Sequence, residues 1–167
     1  MSYRDALNIH ALQAMAKRRL PSGVYGFVAG GVEDDHSLRN NRNVFERIRF
    51  RPRSPVDVSK RSQEVEIFGR KFAAPFGIAP MGISGMFQFD ADLELARAAA
   101  RMHVPFTLSN MSTVPMETVA QSGDHARWLQ SYLTGNREQG AKFARRAEAA
   151  GYELLMITTD VPVPGNR

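Results

Sequence analysis

Polar side chains recur at the ends of short apolar runs in this sequence. Ser109-Asn110 closes the run Val104–Ser109, Gln130 and Tyr132 sit in Trp128–Leu133, and Thr158 and Asp160 close Leu154–Asp160. An earlier run, Pro75–Pro80, passes through Ala79-Pro80-Met81 into Gly82 and offers main chain instead. If the runs are parallel strands of one barrel, their carboxyl ends meet at a common mouth. Hydroxyls and a carboxamide gathered there are suited to hydrogen-bonding a planar heterocycle with amide and imide edges. The alternative is that Ser109, Thr158 and Asp160 cap the helices that follow them. That explanation serves a single residue better than a recurrence at successive strand ends.

The elements between these runs have helical character. Asp90 is expected to cap an Ala-rich helix through Leu93, Leu95, Ala98 and Met102, and a short helix is expected around Met116–Gln121 before Gly123. Asn136 and Gln139 form a capping-box pattern, and Gly151 suits the left-handed position that ends that helix. Continuous apolar strands alternating with capped helices imply a parallel sheet covered by helices. A doubly wound sheet would ask for a glycine-rich phosphate loop after the first strand, and Gly82 with Gly85 is too sparse for one. The expected fold class is therefore α/β, with about four β/α units over residues 75–167, half of a TIM-type (β/α)8 barrel.

Residues 1–74 read as a separate, largely helical segment. Ile9, Leu12, Met15 and Ala16 make an apolar helical stripe that Pro21 ends, or Pro21 opens the next helix. Asp34, Asp35 or Ser37 can cap a further helix carrying Leu38, Val44, Phe45 and Ile48. Arg47, Arg49, Arg51 and Arg53 alternate with Ile48, Phe50 and Pro52, as in a strand with one wet face. Val65–Phe72 reads as two short strands about a glycine turn, a lid hairpin.

Composition narrows the classes. At 167 residues, 43% of them hydrophobic, the chain can bury one core, yet a full β/α barrel takes about 250 residues. Cysteine is absent, which excludes disulfides, thiolate catalysis and cysteine-ligated metals. No histidine pair or carboxylate cluster has metal-ligand spacing, so no metal is expected. There is neither a signal-peptide pattern nor an apolar run of about 18 residues, and the default expectation is a cytoplasmic protein. The net charge of +5 gathers partly in residues 39–61, a solvated face that attracts anions; no nucleic-acid partner is expected without stacking aromatics in a basic groove.

Taken together the motifs resemble a known family. Leu20-Pro21 with Val24-Tyr25, Gly30 to Asp34, Asn40 to Phe45, Phe50-Arg51-Pro52-Arg53, Pro75 to Gly82, Thr107-Leu108-Ser109, Gln130 with Tyr132, and Thr158-Thr159-Asp160 follow in order. Their order and spacing resemble the flavin mononucleotide (FMN)-dependent enzymes that oxidise 2-hydroxy acids, a family that includes glycolate oxidase, flavin-type lactate dehydrogenase and mandelate dehydrogenase. The resemblance implies FMN as cofactor, with the main chain of Ala79, Pro80 and Met81 beside its reactive edge. It implies that Ser109, Gln130 and Thr158 hydrogen-bond the pyrimidine part of the ring. Tyr25 and Arg167 would meet the substrate carboxylate, Tyr132 its hydroxyl, and Asp160 would partner the catalytic histidine. On the residues alone, Tyr25 reads equally as a core aromatic and Arg167 as a disordered terminal side chain.

The family's base histidine, its lysine beside the flavin and its second arginine belong to later strands, and His10, His36, His103 and His125 do not match the base. The first expectation is thus the N-terminal half of an L-2-hydroxy-acid dehydrogenase, inactive alone and completed by a C-terminal fragment. A complete enzyme would be a homo-oligomer, a tetramer, with possible peripheral contact at the cytoplasmic face of the inner membrane. Gly82 and Pro162-Val163-Pro164-Gly165 resemble the dehydrogenase type more than the oxidase type. The rival expectation is a half-barrel without catalysis, stable only as an oligomer because its outer strands have open edges.

Overall fold

Parallel pairing dominates the larger part of the chain, and it follows the apolar runs. A computed structural model describes residues 3–124, 126–132, 135–160, 163 and 165–166. Two compact units are present, residues 1–56 with 163–167, and residues 57–162.

Among its described residues the first unit carries three α-helices: α1 (Ile9–Arg19), α2 (Ser22–Ala29) and α3 (His36–Glu46). Asn8 caps α1 by accepting from Ala11 N at 2.9 Å, and Pro21 opens α2, where its missing N–H costs nothing. Asp35 precedes α3 in a left-handed conformation (φ 59°) and makes no side-chain cap; its carboxylate instead accepts from Gly31 N at 2.8 Å. Residues 47–53 form no strand among the described residues and are exposed throughout. The alternation of arginine with apolar residues has the right period, but a strand also requires a neighbour for its N–H and C=O groups.

The second unit holds a hairpin, β1 (Val65–Ile67) and β2 (Arg70–Phe72), and a parallel sheet of β3 (Phe106–Leu108), β4 (Arg127–Ser131) and β5 (Leu154–Ile157) in that order. The helices α4 (Ala91–Met102), α5 (Met116–Ala120) and α6 (Arg137–Ala149) alternate with these strands. The run Pro75–Pro80 contributes one parallel bridge, Ile78 to Phe106, rather than a full strand. Proline at both ends removes two ladder donors, and Gly77 adds no side chain to pack.

The hairpin belongs to the sheet's unit, so the compact units divide between Val56 and Asp57 and not between residues 74 and 75. Phe68 and Phe72 pack edge-on against Trp128, at centroid distances of 5.8 and 5.9 Å. Arg70 pairs with Asp124 at 3.0 Å and Glu153 at 3.3 Å, acids in the segments that lead into β4 and β5. The hairpin therefore closes the amino-terminal foot of the strands, opposite the end where the polar residues lie. It is a floor, not a cover over that end.

The core lies between strands and helices. Phe106, Leu108 and Leu129 meet Ala96 and Ala99 of α4, Val119 of α5 and Ala147 of α6, all nearly inaccessible. Alanine at the helix contacts lets the helices approach the sheet closely. The Asn136–Gln139 capping box is formed reciprocally, at 2.9 and 3.2 Å, and Gly151 adopts φ +82° beyond α6. Asp90 does not cap α4 with its carboxylate: its backbone is left-handed (φ 52°), not the extended form a capping side chain requires.

Tyr152, just before β5, is half-buried and donates its phenol hydrogen to the Met116 carbonyl at 3.0 Å. Burial pushes its ionisation well above the ordinary phenol range, and the Glu117 carboxylate pushes the same way. A raised acid favours the folded state fully below the unfolded value of about 10, and that stability is lost as pH rises beyond it. Tyr152→Phe should therefore cost about 1 kcal/mol at neutral pH and lessen the alkaline decline in stability, as read by urea titrations at pH 8 and 10.5. Parallel pH profiles for the two proteins would refute this role.

Candidate functional site

Three neighbouring strands deliver one polar residue each to the same end of the sheet. Leu108 pairs with Leu129 and Gln130 with Met156, so Ser109 follows β3 beside Gln130, and Thr158 follows β5 one step further across. Side chains alternate along a strand, and the outward neighbours Leu108 and Leu129 face the helices, which turns Ser109 and Gln130 to the inner face. Ser109 and Gln130 are each only 3% exposed.

A continuous hydrogen-bonded row joins them. Ser109 Oγ donates to Gln130 Oε1 at 3.3 Å, and Gln130 Nε2 donates to Thr158 Oγ1 at 2.8 Å. The Asn110 main-chain N–H also donates to Gln130 Oε1, at 3.1 Å. An N–H cannot accept, so this contact fixes which end of the carboxamide is oxygen. Ser109 Oγ in turn accepts from Met111 N at 3.1 Å. The row leaves the second Gln130 amide hydrogen and the Thr158 hydroxyl hydrogen without an acceptor among the described residues.

Ala79, Pro80 and Met81 run alongside this row. Ile83 N donates to Met111 O at 2.8 Å, which ties the segment to the turn after β3. A methyl placed on Gly82 would lie 3.0 Å from Met111 Cβ and 3.8 Å from Ser109 Oγ. Gly82 thus permits a close passage of main chain past Met111, with Ser109 Oγ at ordinary contact distance. Tyr132 and Asp160 stand two residues beyond Gln130 and Thr158 and are exposed. Tyr25 belongs to the first unit, where it is half-buried and its hydroxyl accepts from Gln13 Nε2 at 3.3 Å. Arg167 and His125 lie outside the described residues, and His103 sits in the α4–β3 turn at the foot of the strands.

No group of three or more His, Cys, Asp or Glu able to hold a metal occurs among the described residues. What the site can do is bind a neutral, flat, hydrogen-bonding ring. The Asn110 main-chain donor was not predicted as part of it, since main-chain groups carry no sequence signal.

The model of the family described as FMN-dependent dehydrogenase matches residues 16–167. The chain belongs to that family. Its cofactor is FMN, and the row fits it: the pyrimidine edge of a flavin presents carbonyl acceptors and an imide N–H, for which neutral donors and hydroxyl oxygens are the complement. The chain is 37% identical to the (S)-mandelate dehydrogenase of Pseudomonas putida, over 98% of its own length and 42% of that protein's. It is 39% identical to the L-lactate dehydrogenase of Pectobacterium atrosepticum, over 93% and 40%. It is also 38% identical to glycolate oxidase 1 of Oryza sativa subsp. indica, over 98% and 44%.

A solved structure of a soluble mutant of the membrane-associated Pseudomonas putida (S)-mandelate dehydrogenase superposes with a TM-score of 0.91 at 39% identity. That match covers 96% of this chain and 46% of that one. The fold is accordingly the first part of a TIM-type (β/α)8 barrel, and the chain spans less than half the length of the relatives it matches.

Proposed function

We propose that this chain supplies the ring-binding half of an FMN-dependent enzyme that oxidises an L-2-hydroxy acid, lactate-like or mandelate-like, to the 2-keto acid. The observation that carries the reading is the buried Ser109–Gln130–Thr158 row. Bound FMN supplies the acceptor for the two electrons that leave the substrate. Ser109, Gln130 and Thr158 hold and orient its pyrimidine edge, and the main chain of Ala79, Pro80 and Met81 lies beside its reactive edge. Tyr132 donates to the substrate hydroxyl. Tyr25 and Arg167 receive the substrate carboxylate, because a carboxylate in a dry pocket needs donors around it. Asp160 orients a histidine and stabilises it once protonated, as a carboxylate beside a general base does.

That histidine comes from a C-terminal fragment that also completes the barrel, and this chain alone is inactive. Support comes from β5, whose Leu155, Met156 and Ile157 are each more than a third exposed, as the outer strand of an incomplete barrel would be. The complete enzyme is a homo-oligomer. The Pro162-Val163-Pro164-Gly165 segment, of which Val163 and Gly165 are described, favours a dehydrogenase over an oxidase and a peripheral membrane location. Among the described residues, no helix is long and apolar enough to cross a membrane.

The test is co-expression of this chain with the C-terminal portion of the related (S)-mandelate dehydrogenase. A yellow complex whose flavin absorbance bleaches anaerobically with (S)-mandelate or L-lactate is expected. A stable complex that holds no flavin would overturn the reading.

A further inference from the structure

We infer that Asp92 is a positioning residue for the flavin-binding row, acting through Ser112; the inference rests on the function proposed above. Asp92 lies in the first turn of α4 and is 2% exposed, a burial that carboxylates rarely undergo without a partner. Its partner is the Ser112 hydroxyl, which donates to Asp92 Oδ2 at 2.7 Å. The Val114 carbonyl lies 2.9 Å from the same hydroxyl oxygen and competes for its single proton. An anionic acceptor makes the stronger bond, so the proton goes to Asp92.

What this bond holds is the turn between β3 and α5. Ser112 Oγ accepts from Val114 N at 3.0 Å, and Ser112 N donates to the Ser109 carbonyl at 3.0 Å. Within that turn Met111 N reaches Ser109 Oγ, and Asn110 N reaches Gln130 Oε1. The turn thus sets both the Ser109 hydroxyl and the Asn110 N–H against the Gln130 carboxamide. Asp92 is the anchor that ties it to α4. Without the carboxylate the Ser112 proton reverts to the Val114 carbonyl: the hydroxyl stays satisfied, but the turn loses its link to the helix. No hydrogen bond joins Asp92 to Ser109, Gln130 or Thr158, so its effect on the ring is transmitted through the turn.

The test uses the full chain with Asp92→Ala, Asp92→Asn and Ser112→Ala, read by amide hydrogen exchange and by FMN titration through flavin fluorescence. In Asp92→Ala, exchange at Asn110, Met111 and Val114 should quicken at least about tenfold, while Thr107, bonded to Ile78 O, stays protected. FMN binding should weaken about tenfold, the size of one lost buried hydrogen bond. Asp92→Asn keeps an acceptor for Ser112 and should stay within about threefold of the parent. Ser112→Ala cuts the same tether but also takes the acceptor from Val114 N, so at Asn110 and Met111, the positions that decide, it should reproduce the Asp92→Ala pattern even if that variant folds poorly. Unchanged exchange in the turn, or quickening at Thr107 to the same degree, would overturn the inference. A parent chain that binds no FMN even when joined by the C-terminal portion of the related enzyme would refute the site reading instead, and the exchange pattern would still decide the role of Asp92.

Discussion

Gln130→Leu should weaken FMN binding by about a hundredfold and lower stability by about 2 kcal/mol. The carboxamide is the one group bonded to both other members of the row, and it also receives the Asn110 N–H. Leucine fills much of the same volume, so the change isolates the hydrogen bonds from the packing. The stability cost arises because Ser109 and the Asn110 N–H, both accustomed to an acceptor, are left facing an apolar group. Fluorescence titration with FMN and urea unfolding of the same samples measure the two effects. Binding within threefold of the parent would show that the row does not grip the ring.

Its neighbour should respond in the opposite way. Leu129 is 1% exposed and faces the helices, in the cluster of Ala96, Val119 and Ala147. Leu129→Ala leaves a cavity between sheet and helices and should cost about 3 kcal/mol, with a fall in Tm of about 10 °C. FMN affinity of the folded protein, measured well below that Tm, should change little. Two adjacent residues of β4 would then separate the stability of the unit from its binding. A loss below about 1 kcal/mol would mean that the helices close over the cavity, and the core would be softer than its burial indicates.

Much of this was legible from residue order. The strands around Thr107, Leu129 and Leu155, the capping box at Asn136 and the left-handed Gly151 were all visible as local patterns, because each depends on near neighbours in sequence. Ser109, Gln130 and Thr158 were legible because polar residues interrupt runs that are otherwise apolar. The failures have a common physical origin. Pro75–Pro80 and Arg47–Arg53 have strand-like periodicity, but pairing depends on a partner elsewhere in the chain, and periodicity does not supply one. Asp90 and Asp35 have capping residue types, but their left-handed backbones are set by the turns before them. Asp92 carries no signal of its own in the sequence, being one of several acids at a helix start; its partner is Ser112, twenty positions on. The hairpin was recognised as a hairpin, while its position at the foot of the strands came from Arg70 reaching two acids remote in sequence.

Trp128 is the only indole in the chain, wedged between two phenylalanines of the hairpin and standing two residues before Gln130 on the same strand. Two residues of strand span about 7 Å. Excitation of that indole would pass readily to any yellow chromophore seated on the Gln130 carboxamide, so its emission serves as a built-in gauge of occupancy. The same light, red-shifted rather than dimmed, would signal that the floor beneath the strands has come loose.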